Sequence, residues 1–491
     1  MNMTRVSTPV VVGIRNGLRS LPPDVSHNAS RPPGPAEVYT PRGHEGALDP
    51  DRALVVGNRG VGKSFWSGAL IDTTTRGVLA LAYPKLKLGS VDAVLGFSGD
   101  DATLGAAPSA KVLKALLKDD LSPETIWRTV FMKALSPKWG AFTFKEAAKI
   151  IENDPEAYEN EMLKADAELR KRGKKKVIVF DALDRLGDNW KAVRELTRGL
   201  LRLALSLRSY TSIRAKIFIR PDQGDDKQVF DFPDASKLRA ERVELKWSTQ
   251  DLYGLMYSRL ANSAASSAAF AELARLKKAD IHISSGVSIL PEALKIEADL
   301  QSAIFAMIAG EFMGSNHRRG RTYAWLPNHL GDAHGQTAPR TFLTALKIAA
   351  DRDVHDAQLG KRQAIDHHGI KEGVQQASQV RLDQLAEDHI WIKSVLNSLS
   401  GMEVPCPAEA VTARWSADLI VKKIKKDVDA GEILGPLELQ RVGGQTEGAL
   451  LEALARIGVI EQRSNGKVNV PDIFRVAASM KRRGGIKPPG R

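Results

Sequence analysis

Gly57-Asn58-Arg59-Gly60-Val61-Gly62-Lys63-Ser64 constrains the fold more than any other stretch of the chain. It matches G-x-x-x-x-G-K-[ST], and its setting is the one that pattern requires. The short apolar run Leu54-Val55-Val56 precedes it, and a helical pattern from Ser64 through Phe65 to Asp72 follows. Phosphates need many close donors. Glycines let backbone N–H groups curl around the anion, and a helix start adds its positive end. In that arrangement Lys63 reaches the β and γ phosphates of ATP and the Ser64 hydroxyl is a ligand to Mg²⁺. A strand, loop and helix of this kind also call for a parallel sheet, because the strand must be buried on both faces.

Two further apolar runs supply that sheet, Val177-Ile178-Val179-Phe180 and Lys216-Ile217-Phe218-Ile219. Between them Val193, Leu196, Leu200, Leu203 and Leu207 recur at spacings of three and four, which predicts a helix with one apolar face. Strands alternating with helices indicate an α/β fold. A carboxylate at the end of a neighbouring strand is needed to hold the magnesium ion or its water, and Asp181 directly follows the run 177–180. Asp184 comes three residues later, either as a general base for water or as the N-cap of a helix starting near Leu186. Arg220 follows the next strand, where ligands of open α/β sheets bind; it reads as a γ-phosphate sensor or as a loop salt-bridge residue. Arg340, in Gly335-Gln336-Thr337-Ala338-Pro339-Arg340, opens a later helix and is the second arginine placed to reach back to nucleotide.

The length of 491 residues predicts two to four domains at roughly 100–200 residues each. Residues 1–50 contain eight prolines and read as an extended arm. The phosphate-loop core spans 51–248. After Val243-Glu244-Leu245-Lys246-Trp247 strand signals stop, so 249–400 reads as a helical lid and linker. From 401 to 480 the pattern changes again, past Val404-Pro405-Cys406-Pro407. There a helix ends near Gly458, and two strands flank an Asn465-Gly466 turn and stop at Pro471, which is the signature of a winged helix. Residues 481–491 form a basic tail.

One cysteine, Cys406, excludes internal disulfides and cysteine-based metal clusters. The absence of any apolar run near the roughly 20 residues of a membrane span predicts a cytoplasmic protein with no membrane partner. Lysine plus arginine number 71 against 58 acids, a formal +13, which favours polyanionic partners through long-range attraction. Much of the excess lies in runs at 170–176, 422–426 and Lys481-Arg482-Arg483. The presumed recognition helix, 445–457, holds only one arginine against two acids. Nucleic-acid binding is therefore expected to be weak and non-specific. His367-His368 and Asp100-Asp101 read as solvated polar pairs.

Taken in order, GNRGVGKS, VIVFDALDRL, KIFIRPD, VELKWSTQDL, WLPNHLGDAHGQTAPRTFL and GVIEQRSNGKVNVPDIFR resemble bacterial P-loop ATPases of the AAA+/STAND type. Within that group the chain is similar to the ORC-like and KAP-like ATPases of prokaryotic conflict and anti-phage systems. That resemblance implies a parallel-sheet P-loop core with helical lid and C-terminal winged helix. It makes Lys63 and Ser64 the Walker A pair, Asp181 the Walker B carboxylate, and Arg220 and Arg340 the two sensors. Ala182 stands where many AAA+ proteins carry a second acid, which moves the catalytic role to Asp184 and implies slow hydrolysis. The expected function is a Mg²⁺-dependent ATPase acting as a nucleotide-controlled switch or assembly regulator. Its partners would be an effector protein and a nucleotide-dependent homo-oligomer. The alternative is a DNA-binding AAA+ initiator or loader for replication, partition or transposition.

Overall fold

A computed structural model of the chain describes residues 6–21, 27–100, 106–119, 121–187, 189–284, 286–352, 362–441 and 443–482. Internal contacts divide the chain into two units, Ser26–Lys246 and Met1–Val25 together with Trp247–Arg491.

The first unit is built on five strands: β1 (Leu54–Val56), β2 (Val91–Phe97), β3 (Lys175–Phe180), β4 (Ile213–Ile219) and β5 (Val243–Glu244). Their order is β2-β3-β4-β1-β5 and every pairing is parallel. From β1 the chain crosses to the far edge and returns strand by strand, so the loops after β1, β3 and β4 open at one end of adjacent strands. β1, β3 and β4 read as apolar runs because helices bury both of their faces. Phe180 packs edge-on against Trp127 at 5.4 Å between ring centroids and stacks on Phe131 at 6.0 Å, both from the helix Pro123–Leu135. Trp127 donates its Nε1–H to the Leu196 carbonyl at 2.8 Å, joining that helix to Trp190–Ser206. Val193, Leu196, Leu200, Leu203 and Leu207 are all buried as their spacing predicts. Each such side chain stabilises by about 1.5–3 kcal/mol relative to exposure. Strand β2 escaped the sequence reading: Asp92, exposed on this edge strand and paired with Lys176, and Gly96, beside a break in register, interrupt its apolar run.

The second unit is mainly helical, and it corrects the reading of residues 1–50. Thr8–Arg19 is an α-helix rather than extended chain, with Val10, Val11, Ile14, Gly17 and Leu18 on its buried face and Pro9 in its first turn. That face packs on the helices Ser267–Arg275 and Pro339–Asp351, and the Arg15 and Arg19 side chains donate to the Ala364 and Ala350 carbonyls at 2.7 and 2.9 Å. The region read as a helical lid and linker also contains a hairpin, His282–Ser284 with Val287–Ile289. Farther on, Cys406–Pro407, Glu461–Gln462 and Lys467–Asn469 form a three-stranded sheet. With Ala408–Ala417, Ile420–Asp429 and Glu447–Arg456 they make the winged helix. Gly466, at φ 75°, turns the hairpin between its last two strands. Lys481–Arg482 pairs with Glu403–Val404, and the remainder of the expected basic tail lies outside the described residues. Among the described residues no helix is long and apolar enough to cross a membrane.

Candidate functional site

The loop after β1 leaves the sheet from within its ladder, since the Gly57 N–H bonds the Ile219 carbonyl at 3.1 Å. Gly60 and Gly62 then take φ of 82° and 106°, a region that L side chains rarely enter. Gly62 caps the helix Lys63–Ile71, whose first amides lie outside its own ladder. The Lys63 ammonium donates to the Gly57 and Asn58 carbonyls at 2.7 and 3.1 Å, which fixes a positive charge at the loop. Val61 is buried beneath it, and Asn58, Arg59, Ser64 and Phe65 are part-exposed. Phe65 meets Trp66 and His27 edge-on. Trp66 in turn donates to His44 Nδ1 at 3.1 Å, while His44 Nε2 donates to the Lys246 carbonyl at 3.0 Å. Those two bonds require the neutral Nε2–H tautomer and tie the helix to the segment ahead of β1 and to the exit of β5.

Asp181 follows β3 and is buried, its N–H bonded to the Phe97 carbonyl at 2.9 Å. Burial pushes its carboxyl above the usual range, opposed by a hydrogen bond from Ser64, the charge of Lys63 and the Ala182 amide. Ala182 has φ 55°, an uncommon conformation for a residue with a Cβ. It turns the chain into the short 3₁₀ turn Leu183–Arg185, which carries Asp184. The capping alternative for Asp184 fails: the next helix starts at Trp190, and Asn189 caps it by accepting from the Ala192 N–H at 2.9 Å. Instead Asp184 Oδ2 lies 3.5 Å from a terminal nitrogen of Arg220. Arg220 also donates Nε–H to Asp222 Oδ1 at 3.1 Å and a terminal N–H to Asp222 Oδ2. It therefore ends β4 beside the site and is at the same time a salt-bridge residue.

Lys63, Ser64, Asp181, Asp184 and Arg220 thus belong to one unit and converge on the carboxyl ends of β1, β3 and β4. Arg340 lies in the other unit, in the first turn of Pro339–Asp351. The fit to a magnesium nucleotide rests on the donor set. A backbone cradle needing two positive-φ glycines, a lysine at its rim, a hydroxyl in the first turn of the helix and a buried carboxylate at the end of β3 suit phosphate plus a hard cation. Among the described residues no group of three or more His, Cys, Asp or Glu side chains gathers as a metal site.

No protein-family model matches the chain, and no curated protein matches it. Solved structures do. The chain is similar to the Aeropyrum pernix ORC2 protein solved in ADPNP–ADP complexes, at 12% identity over 93% of this chain and 95% of that one, with a TM-score of 0.38. A Walker-type ATPase of Pyrococcus abyssi aligns at 13% identity over 93% and 98%, again at 0.38. The Aeropyrum pernix ORC1 protein in complex with DNA aligns at 13% identity over 95% and 96%, at 0.33. Likenesses this low carry no argument about activity, which has to come from the residues above.

Three participants were not singled out from the sequence as site residues. Asp222 was visible only as one polar group of Ile219-Arg220-Pro221-Asp222, although a carboxylate two residues from an arginine at a strand end is a usable signal. His44 and Trp66 left none, because their contact joins segments 22 residues apart.

Proposed function

We propose that the chain is a Mg²⁺-dependent ATPase whose nucleotide state acts as a switch. The observation that supports this most is the positive-φ glycine loop with the Lys63 ammonium held at its rim by the Gly57 and Asn58 carbonyls, together with buried Asp181 at the end of β3 in the same unit. In this reading Gly57 to Phe65 wrap the phosphates, Lys63 meets the β and γ groups, and Ser64 and Asp181 hold the cation. When bound, Mg²⁺ supplies positive charge against the phosphate oxygens. Asp184 accepts a proton from water as the water oxygen bonds to the γ phosphorus. The bond from that phosphorus to the bridging oxygen breaks with its electron pair on ADP, leaving ADP, inorganic phosphate and a proton on Asp184. Arg220 meets the γ-phosphate charge. Ala182, apolar and turned into a left-handed conformation, offers no second acid, so hydrolysis is slow.

The finer reading, a regulator of an effector or assembly in bacterial anti-phage or conflict systems, is supported by the resemblance of the motif series alone. The alternative, a DNA-binding initiator or loader, has a structural observation in its favour. The helix Ile420–Asp429 exposes Lys422, Lys423, Lys425 and Lys426 together.

Isothermal titration of Lys63→Ala tests the central claim. The variant should fold normally and bind Mg²⁺-ATP roughly 10- to 100-fold more weakly, the value of a charge-assisted hydrogen-bond set at about 1.5–3 kcal/mol. Wild-type affinity in the folded variant would place the phosphate cradle elsewhere.

A further inference from the structure

We infer that Trp66 and His44 carry the state of the phosphate loop to the junction at which the chain leaves the sheet unit, Lys246–Trp247. The inference rests on the nucleotide reading above and names a route out of that site. Gly62 caps the helix Lys63–Ile71 and sits over the edge of the Trp66 indole: a Cβ built on it would lie 3.8 Å from Nε1 and 3.9 Å from Cδ1. The backbone N–H of Trp66 closes the first turn on the Gly62 carbonyl at 3.0 Å. The indole is 1% exposed, so a shift of the loop displaces packed atoms rather than water. Its Nε1–H bonds His44 Nδ1 at 3.1 Å, and His44 Nε2 bonds the Lys246 carbonyl at 3.0 Å. A neutral imidazole carries one proton. While Nδ1 accepts from the indole, Nε2 is the N–H that donates, so each bond favours the tautomer that the other needs.

The junction is also held from the near side of the loop. Leu245 donates its N–H to the carbonyl of Val56, the residue before Gly57, at 2.8 Å, and its Cβ lies 3.2 Å from where a Cβ on Gly57 would stand. The last two residues of the sheet unit are thus tied to both ends of the phosphate loop. Lys63 gives that loop two arrangements. Its ammonium donates to the Gly57 and Asn58 carbonyls, and meeting the β and γ phosphates requires it to let them go. Nucleotide therefore biases an element on which both ties depend, which is the physical condition for coupling. Wrapped around phosphate, the loop holds the indole, and through His44 the Lys246 carbonyl, more firmly. Neither Trp66 nor His44 meets nucleotide in this reading, and both are positioning residues.

Amide exchange of the full chain, with and without saturating Mg²⁺-ATP, tests this, since it reads local opening stretch by stretch. Wild type should gain protection at 57–66 and also, by roughly five-fold or more, at 245–250, the low end of ordinary coupling between sites. Trp66→Phe keeps an aromatic ring and removes the indole N–H. At its own saturating concentration, set by titration, it should still gain protection at 57–66 while the gain at 245–250 falls below about two-fold. His44→Asn sets an acceptor near the Nδ1 position but is too short to reach Lys246, and it should lose the distant gain in the same way. A merely structural role would raise exchange around the substitution in both conditions and leave the nucleotide-dependent gain at 245–250 in place. A full distant gain in either folded variant overturns the inference, and so does a wild-type chain protected at the loop alone; the ATPase reading survives both results. Should one variant not fold, the other decides. A wild-type chain that binds no ATP removes the inference and the ATPase reading together.

Discussion

Lys216 lies in the middle of β4 with no exposed surface, donating to the Asp49 carbonyl at 2.5 Å and to the Arg52 carbonyl. It staples the turn that feeds β1, and hence the strand that carries the phosphate loop. Burial pulls its pKa down to about 7, against the carboxylates of Asp49 and Asp51, which raise it. An unfolded lysine titrates near 10.4, so between about pH 7 and 10 the unfolded chain holds a proton that the folded one does not. Stability supplied by this residue therefore rises with pH across that window, by up to about 1.4 kcal/mol per unit, and below it the full burial penalty is present. Lys216→Met should flatten the slope of unfolding free energy against pH between 7 and 9 relative to wild type. Parallel slopes from denaturant titrations would show that the ammonium stays charged in the fold.

At the scale of elements, the docking of Thr8–Arg19 depends on close approach. A Cβ built on Gly17 would lie 2.2 Å from Ser266 Oγ and 2.8 Å from Leu260 Cδ2. Gly17→Val should cost about 1–3 kcal/mol by overpacking, and raise amide exchange across residues 8–19; unchanged protection there would mean the helix is not held by this face. The same helix shows why parts of the fold were hard to read. Its apolar positions at 10, 11, 14 and 18 have helical spacing, but eight prolines in the first 50 residues dominate the composition, and seven of them fall after the helix. The phosphate loop and Asp181 were legible because their pattern is local, a strand end followed by residues of fixed type. The Arg220 cluster was not, because its two readings differ only in which acid is near. Asp184 stands 36 positions back and Asp222 two positions on, so only the register of β3 against β4 decides.

Across the whole molecule the positive charge is unevenly available. In the run 170–176, Arg172, Lys175 and Lys176 are paired with Glu168, Asp51 and Asp92. In the winged helix, Arg456, the only arginine of Glu447–Arg456, is engaged by Glu438. The lysines of Ile420–Asp429 are exposed, and they are the group to neutralise. Weak, sequence-indifferent duplex binding is expected, and changing Lys422, Lys423, Lys425 and Lys426 to Gln should lower its log–log salt slope by about 0.9 for each phosphate that the helix no longer neutralises. Nanomolar, sequence-specific binding at physiological salt would put the initiator or loader reading first.

The chain begins in one unit, builds the other between Ser26 and Lys246, and then returns. A ribosome meets that topology in time order. The sheet unit can close as soon as it has emerged, but Thr8–Arg19 must wait for Ser267–Arg275 and Pro339–Asp351. At about 5–20 residues per second those last partners arrive roughly fifteen seconds to a minute after the helix itself. Until Ser267–Arg275 emerges, an amphipathic segment with Val10, Val11, Ile14 and Leu18 on one side has neither of these partners to pack on, and from then until Pro339–Asp351 follows it has only the first. This helix therefore completes its docking long after it is made, and nascent chains cut short before residue 339 carry it without one of its two main partners.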